Sequence, residues 1–231
     1  MFIKTNETFL KSKMNKDLFQ YLQGFVSSER LLRFEHILAL RTRHICVAVE
    51  DIYQLHNTSA ILRSCDSFGI QDVHVLEHRF NDRLDTQIAM GADKWLSVYK
   101  HESTKDCITH LKSKGYKIVS AVPDDKVQSF HQMEFNHKAV LFFGTEKSGL
   151  SDEVLKQSDE FITIPTFGFT KSLNVSVSAA IILQLLTVKL RSTELKWRLQ
   201  DYEKQILREE WTKKSIKNVD QIIERFLSNS L

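Results

Sequence analysis

The chain has 231 residues, 42% hydrophobic and 26% charged, with a formal net charge of +3. That length supports one hydrophobic core of ordinary size with extensions, or two small domains, and the composition excludes a disordered, collagen-like or disulfide-stapled chain. Cys46, Cys65 and Cys107 are scattered, with no Cys-x-x-Cys pair, which argues for a reducing compartment and against structural zinc. The N-terminal MFIKTNETFLKSKMNKD lacks the apolar stretch of a secretory signal. The apolar run from Val175 to Leu190 is broken by serines, Gln184 and Lys189, so it reads as a buried helix rather than a membrane span. A cytoplasmic protein that engages no membrane is therefore expected.

Charge is unevenly distributed. Residues 1–50 and 187–231 each carry a net +3, while residues 51–186 carry −3. Basic ends around a slightly acidic middle suit a core flanked by helices that meet a polyanion. Solvated helix faces explain the same pattern, and charge alone does not choose between the two.

Taken in order, residues 16–40 repeat Leu18, Phe19, Leu22, Phe25 and then Leu31, Leu32, Phe34, Ile37, Leu38 at helical spacing. The run 44–50 (HICVAVE) predicts a buried strand, 57–68 a helix, and 73–77 and 95–100 two further strands. A helix over 103–114 ends at Gly115, and strands follow at 116–122 and 139–144. Ser151 is placed to cap a short helix over 151–158; 160–165 reads as a strand and 173–190 as a long helix. The tail 194–227 is rich in charge and helix formers. Strands alternating with helices predict an α/β fold, a mostly parallel sheet with helices on both faces. The expected organisation is an N-terminal helical extension over 1–43, a core over 44–190 and a C-terminal helical extension over 191–231.

The common nucleotide and hydrolase signatures are missing. There is no G-x-G-x-x-G, no Walker loop and no G-x-S-x-G. His74 and His78 are four apart, but at a strand and its end, so no metal site is expected. Three other segments stand out. In HNTSAILRSCDSFGI, Asn57 is placed to cap a helix, and Arg63 lies nearly two turns on, near the same face; a plain cap and a plain surface charge fit equally. In LFFGTEKSGL, a buried strand runs into a loop bounded by Gly144 and Gly149 with Glu146 at its centre. Such a loop lets backbone approach a ligand, or is an ordinary strand-to-helix turn. In ITIPTFGFTKSLNVSVSAAIILQ, a strand ends in Ile164-Pro165, and Ser172-Leu173-Asn174 opens a helix whose first turns are small.

In this order the three segments resemble the SPOUT superfamily, and in particular its TrmH branch of RNA ribose methyltransferases. The family's Asn-x-x-x-x-x-Arg matches Asn57 and Arg63. Its Gly-x-Glu-x-x-Gly matches Gly144, Glu146 and Gly149. Its Ile-Pro-x-x-Gly and Ser-Leu-Asn-Val-Ser match Ile164, Pro165, Gly168 and Ser172 through Ser176. The resemblance covers roughly residues 15–190.

The resemblance implies a C-terminal trefoil knot in the sheet domain, a homodimer, and S-adenosylmethionine as cofactor. The knotted loops that hold it correspond to about 119–123, 144–149 and 164–173, placing Ala121, Val122, Gly144, Glu146, Gly149, Ile164 and Leu173 against the cofactor. It assigns Arg63 the activating role, with Asn57, Glu146, Ser172 and Asn174 around it. A guanidinium is essentially always protonated. Arg63 therefore acts either as the proton acceptor the family assigns, or by binding phosphate or the developing alkoxide. Arg41 and Arg43, with Arg63, are the expected RNA contacts. The implied function is 2′-O-methylation of tRNA at the D-loop guanosine at position 18. Ribosomal RNA methylation and a non-catalytic RNA-binding module are the alternatives. The roughly 45 residues before the first core strand are too few for the RNA-binding domain that ribosomal relatives usually carry.

Overall fold

The computed structural model describes residues 16–52, 55–76, 91, 93–124, 126–134 and 136–229. Contacts divide the chain into two compact units, one from Arg41 to Arg198 and one built from both ends, up to Leu40 and from Leu199.

In the first unit, runs of β-branched and aromatic residues form a six-stranded parallel sheet. Its strands are β1 (Ile45–Glu50), β2 (Asp72–Leu76), β3 (Ser97–His101), β4 (Tyr116–Ala121), β5 (Lys138–Phe143) and β6 (Glu160–Ile162), in the order β3-β2-β1-β5-β4-β6. β1 and β2 are buried throughout, as covered parallel strands must be, whereas the edge strands β3 and β6 are partly exposed. Alternation divides the central strands between two cores. Ile45, Val47 and Val49 face α3 (Leu55–Phe68) and α6 (Val175–Arg191). Cys46 and Ala48 face α4 (Thr104–Ser113) and α5 (Asp152–Gln157). The α/β fold with both faces covered matches the sequence reading. Ser151 caps α5 by accepting from the Val154 N–H at 3.3 Å. The three cysteines are free and buried.

The end unit holds α1 (16–23), α2 (Ser28–Leu38), α7 (Asp201–Ser215) and α8 (Val219–Asn229). Phe34 meets Trp211 edge to face at 5.6 Å, and Tyr21 meets Phe226 at 5.1 Å. Arg208 forks onto the Glu35 carboxylate, at 2.8 Å for its second bond, and holds that carboxyl below its usual pKa. The N- and C-terminal helical extensions thus pack as one unit. The boundary near 190 also moves, because residues 191–198 stay with the sheet. Arg191 donates to the Phe68 carbonyl at 2.8 Å, Thr42 Oγ1 donates to the Trp197 carbonyl at 2.6 Å, and Trp197 is buried.

Candidate active site

β4, β5 and β6 run parallel and deliver their outgoing loops to the same end of the sheet. These loops, with the start of α6, enclose a cavity of about 360 Å³. Ala121, Val122, Gly144, Glu146, Gly149, Ile164 and Leu173 all line it, as does Ser172.

The 144–149 loop is pinned by its own backbone. Thr145 and Gly149 exchange two N–H···O bonds of 3.0 and 2.9 Å, and Thr145 Oγ1 accepts from the Ser148 N–H at 2.9 Å. Gly149 sits at φ +70, the left-handed region that glycine occupies without strain. A Cβ at Gly144 would overlap the backbone carbonyl of Gly149. The absent side chain at Gly144 thus makes room for the loop itself. Downstream, the buried Glu50 carboxylate at the end of β1 accepts from Ser151 N and Oγ at 2.8 and 2.7 Å and from Thr104 Oγ1 at 3.0 Å. This anchor escaped the sequence reading, although a carboxylate closing the apolar run ICVAVE was its signal.

The three motifs meet through their amides and carboxylate. Asn174 caps α6, its Oδ1 accepting from Ser176 N at 2.9 Å and Ser176 Oγ at 2.6 Å. Its Nδ2 donates to the Glu146 carboxylate and, at 3.2 Å, to Asn57 Oδ1. Asn57 Nδ2 completes the triangle by donating to Glu146 Oε1 at 3.2 Å. Asn57 is therefore no cap. It is the third residue of α3, buried, and directed at the loop.

Arg63 does not share that face. Six residues at 3.6 per turn leave it about 120° around the helix from Asn57. Arg63 is exposed and makes no hydrogen bond or ion pair among the described residues, nor does it line the cavity. Arg41 and Arg43 precede β1, at the opposite end of the sheet. Arg41 is 1% exposed, with its guanidinium on the Asp66 carboxylate and the Ile70 carbonyl (3.1 Å). Burial and engagement remove it from the expected RNA contacts. Arg43 pairs with Asp72 at 3.0 Å and is 21% exposed. Two exposed cations on the cavity wall, Lys147 and Lys171, were not singled out, although both lie inside the motif segments.

A covered parallel sheet with a glycine-pinned ligand cavity at its carboxyl ends belongs to the class of α/β proteins that bind nucleotide-sized ligands beyond strand ends. The comparisons are more specific. Residues 44–184 match the SpoU rRNA Methylase family. A tRNA (guanosine(18)-2′-O)-methyltransferase of Borreliella burgdorferi is 36% identical over 208 residues, covering 90% of this chain and 95% of that protein. The Escherichia coli K12 protein of the same name is 33% identical over 154 residues, 67% of each chain. The crystal structure of the Aquifex aeolicus TrmH/SpoU tRNA modifying enzyme superposes with a TM-score of 0.74 at 26% identity, over 82% of this chain and 98% of that one. The chain belongs to the SpoU methylase family. Among the described residues, no helix is long and apolar enough to cross a membrane.

Proposed function

We propose that this chain is an S-adenosylmethionine-dependent tRNA methyltransferase that modifies the ribose 2′-oxygen of the guanosine at position 18. The observation that carries this reading is the junction of the three motifs at one cavity, tied together by Asn57, Glu146 and Asn174. The names of the Borreliella and Escherichia relatives supply the substrate.

The cavity fits the cofactor by its chemistry. About 360 Å³ lies within the usual range for small-molecule sites. Val122, Ile164 and Leu173 give apolar walls, while the backbone of 144–149 supplies polar groups without side-chain bulk. When bound, S-adenosylmethionine supplies an electrophilic methyl group to the ribose oxygen. The protein holds the loops in one geometry through Asn174, so that orientation is settled before RNA arrives. Arg63 binds the adjacent phosphate or stabilises the alkoxide as the hydroxyl proton leaves to phosphate or water. Ser172 and the rim cations Lys147 and Lys171 face the incoming RNA.

The homodimer belongs to the same proposal. Phe167 and Phe169 are fully exposed, and Val177 and Ile181 on α6 are more than a third exposed. They flank an apolar groove lined by Phe68, Phe130, Pro165 and Leu185, a surface that a second copy would cover. The trefoil knot and a cytoplasmic location go with the family reading. The test is methyl transfer from labelled S-adenosylmethionine to unmodified tRNA and ribosomal RNA transcripts, with the modified ribose mapped. Label at guanosine 18 of tRNA is the expected result, and label only in ribosomal RNA overturns the substrate.

A further inference from the structure

Away from the cavity, β2, β3 and α4 bring together three side chains that no part of the proposed reaction uses. His74 lies in the middle of β2, His101 ends β3, and Cys107 sits in the first turn of α4. One ligand atom from each lies within 4.8 Å of the other two. His74 Nδ1 and His101 Nε2 are 2.9 Å apart. The rings are held in place: His74 is buried and stacked on Tyr99 and His101, with centroids 5.0 and 5.1 Å away.

We infer that His74, His101 and Cys107 form a binding site for a zinc-class transition-metal ion that fastens the β2–β3 edge to α4. Zinc takes nitrogen and thiolate ligands tetrahedrally, with metal–nitrogen bonds of about 2.0–2.1 Å. Two such nitrogens stand roughly 3.3 Å apart, so the imidazoles need to separate by only about half an ångström. A set of two imidazoles and one thiolate selects zinc or its neighbours over magnesium and calcium. His110, one turn beyond Cys107 on α4, lies outside this set, with its ring centroid 6.3 Å from that of His101. A water completes the coordination of the bound ion. On binding, the Cys107 S–H bond breaks, a sulfur–metal bond forms and the proton leaves to solvent, so uptake releases protons. The ion reaches the site from the His101 side, the one partly exposed ligand of the three. None of these residues lines the cavity, which makes the role structural.

The pattern was invisible in the sequence because the donors come from three elements. The pair that drew attention there was His74 with His78, and His78 lies outside the described residues.

The test is titration of the chelator-stripped full chain with cobalt(II), followed by zinc. The expected result is one cobalt per chain, with visible bands of tetrahedral intensity and a thiolate-to-metal charge-transfer band, all bleached by zinc. Cys107→Ser should lose the charge-transfer band and His101→Ala the stoichiometric uptake, while Cys65→Ser, on the other face of the sheet, keeps both. Should Cys107→Ser not fold, His101→Ala at the end of the edge strand decides the matter. Sub-stoichiometric uptake, a wild-type spectrum without a thiolate band, or uptake unchanged in His101→Ala would overturn the site. At a temperature where the stripped chain stays folded, methyl transfer should be unchanged, and its loss there would overturn the structural role.

Discussion

The two ends of the parallel sheet treat charge in opposite ways. At the amino ends, Arg41 lies on Asp66 and the Ile70 carbonyl, Arg43 on Asp72, and Tyr116 donates to the Arg43 carbonyl at 2.6 Å. At the carboxyl ends, Lys147 and Lys171 are exposed around a cavity. Arg63, past the middle of α3 and one turn before Asp66, is exposed with no partner among the described residues. Cations thus hold the fold at the amino ends, while others stand exposed on α3 and at the carboxyl ends. Engagement by neighbours, and not residue type, separates Arg41 and Arg43 from Arg63.

The strongest test of that contrast is Arg63→Ala. It should lower single-turnover methyl transfer by about 10²–10⁴-fold, or roughly 3–5 kcal/mol, with melting temperature and cofactor affinity unchanged. Near-normal turnover in the folded variant would remove Arg63 from the reaction. Arg41→Ala should show the reverse. Losing a buried guanidinium and stranding its acceptors should cost about 3 kcal/mol in denaturant unfolding. Its tRNA affinity and salt dependence, measured well below the melting point, should match the wild type. A salt slope reduced by Arg41→Ala would mean that the two ends do not differ as described.

Gly144→Ala sharpens the account of the cavity end. Its Cβ meets the Gly149 carbonyl, so the loop must open while the sheet stays intact. Overpacking of this kind costs about 1–3 kcal/mol, which calorimetry should register as weaker S-adenosylmethionine binding by about ten- to a hundredfold. Asn174→Asp is subtler. It retains the oxygen that caps α6 but sets a second carboxylate against Glu146, so the helix should persist while the loop loosens. About a tenfold loss of cofactor affinity at neutral pH, relieved as pH falls and the carboxylate pair takes up a proton, is the expected outcome; a pH-independent loss would argue for a simple packing defect. The smallest effect belongs to the end unit. Replacing the exposed Lys213, Lys214 and Lys217 with alanine should flatten the salt dependence of tRNA binding by up to about 0.9 in slope per lost phosphate contact, leaving turnover of bound tRNA alone.

Much of this was legible because it rests on local patterns. β1 and β5 are apolar runs but for one charged end residue each, and Gly144, Glu146 and Gly149 sit in one loop, so periodicity and spacing reach them. Partnerships between distant residues were not legible. Asn57 looks like a cap in one dimension and proves to be a donor to Glu146, 89 residues away. Arg41 and Arg43 look alike in LALRTRH, yet Arg41 is turned into the core while Arg43, two residues on, stays on the rim. The helix angle between Asn57 and Arg63 was computable beforehand; treating six residues as nearly two turns overlooked the 120° remainder.

The end unit joins α1 and α2 to α7 and α8, which lie before and after the sheet unit in the chain. During synthesis the leading helices leave the ribosome with Phe34 bare, and its partner Trp211 is not yet made. At about 5–20 residues per second, that wait is on the order of ten to thirty seconds, long enough for the whole sheet unit between them to fold. The early helices are thus completed only after the sheet unit, and a chaperone that binds short apolar helices would find Phe34 bare in the nascent chain and covered in the folded one.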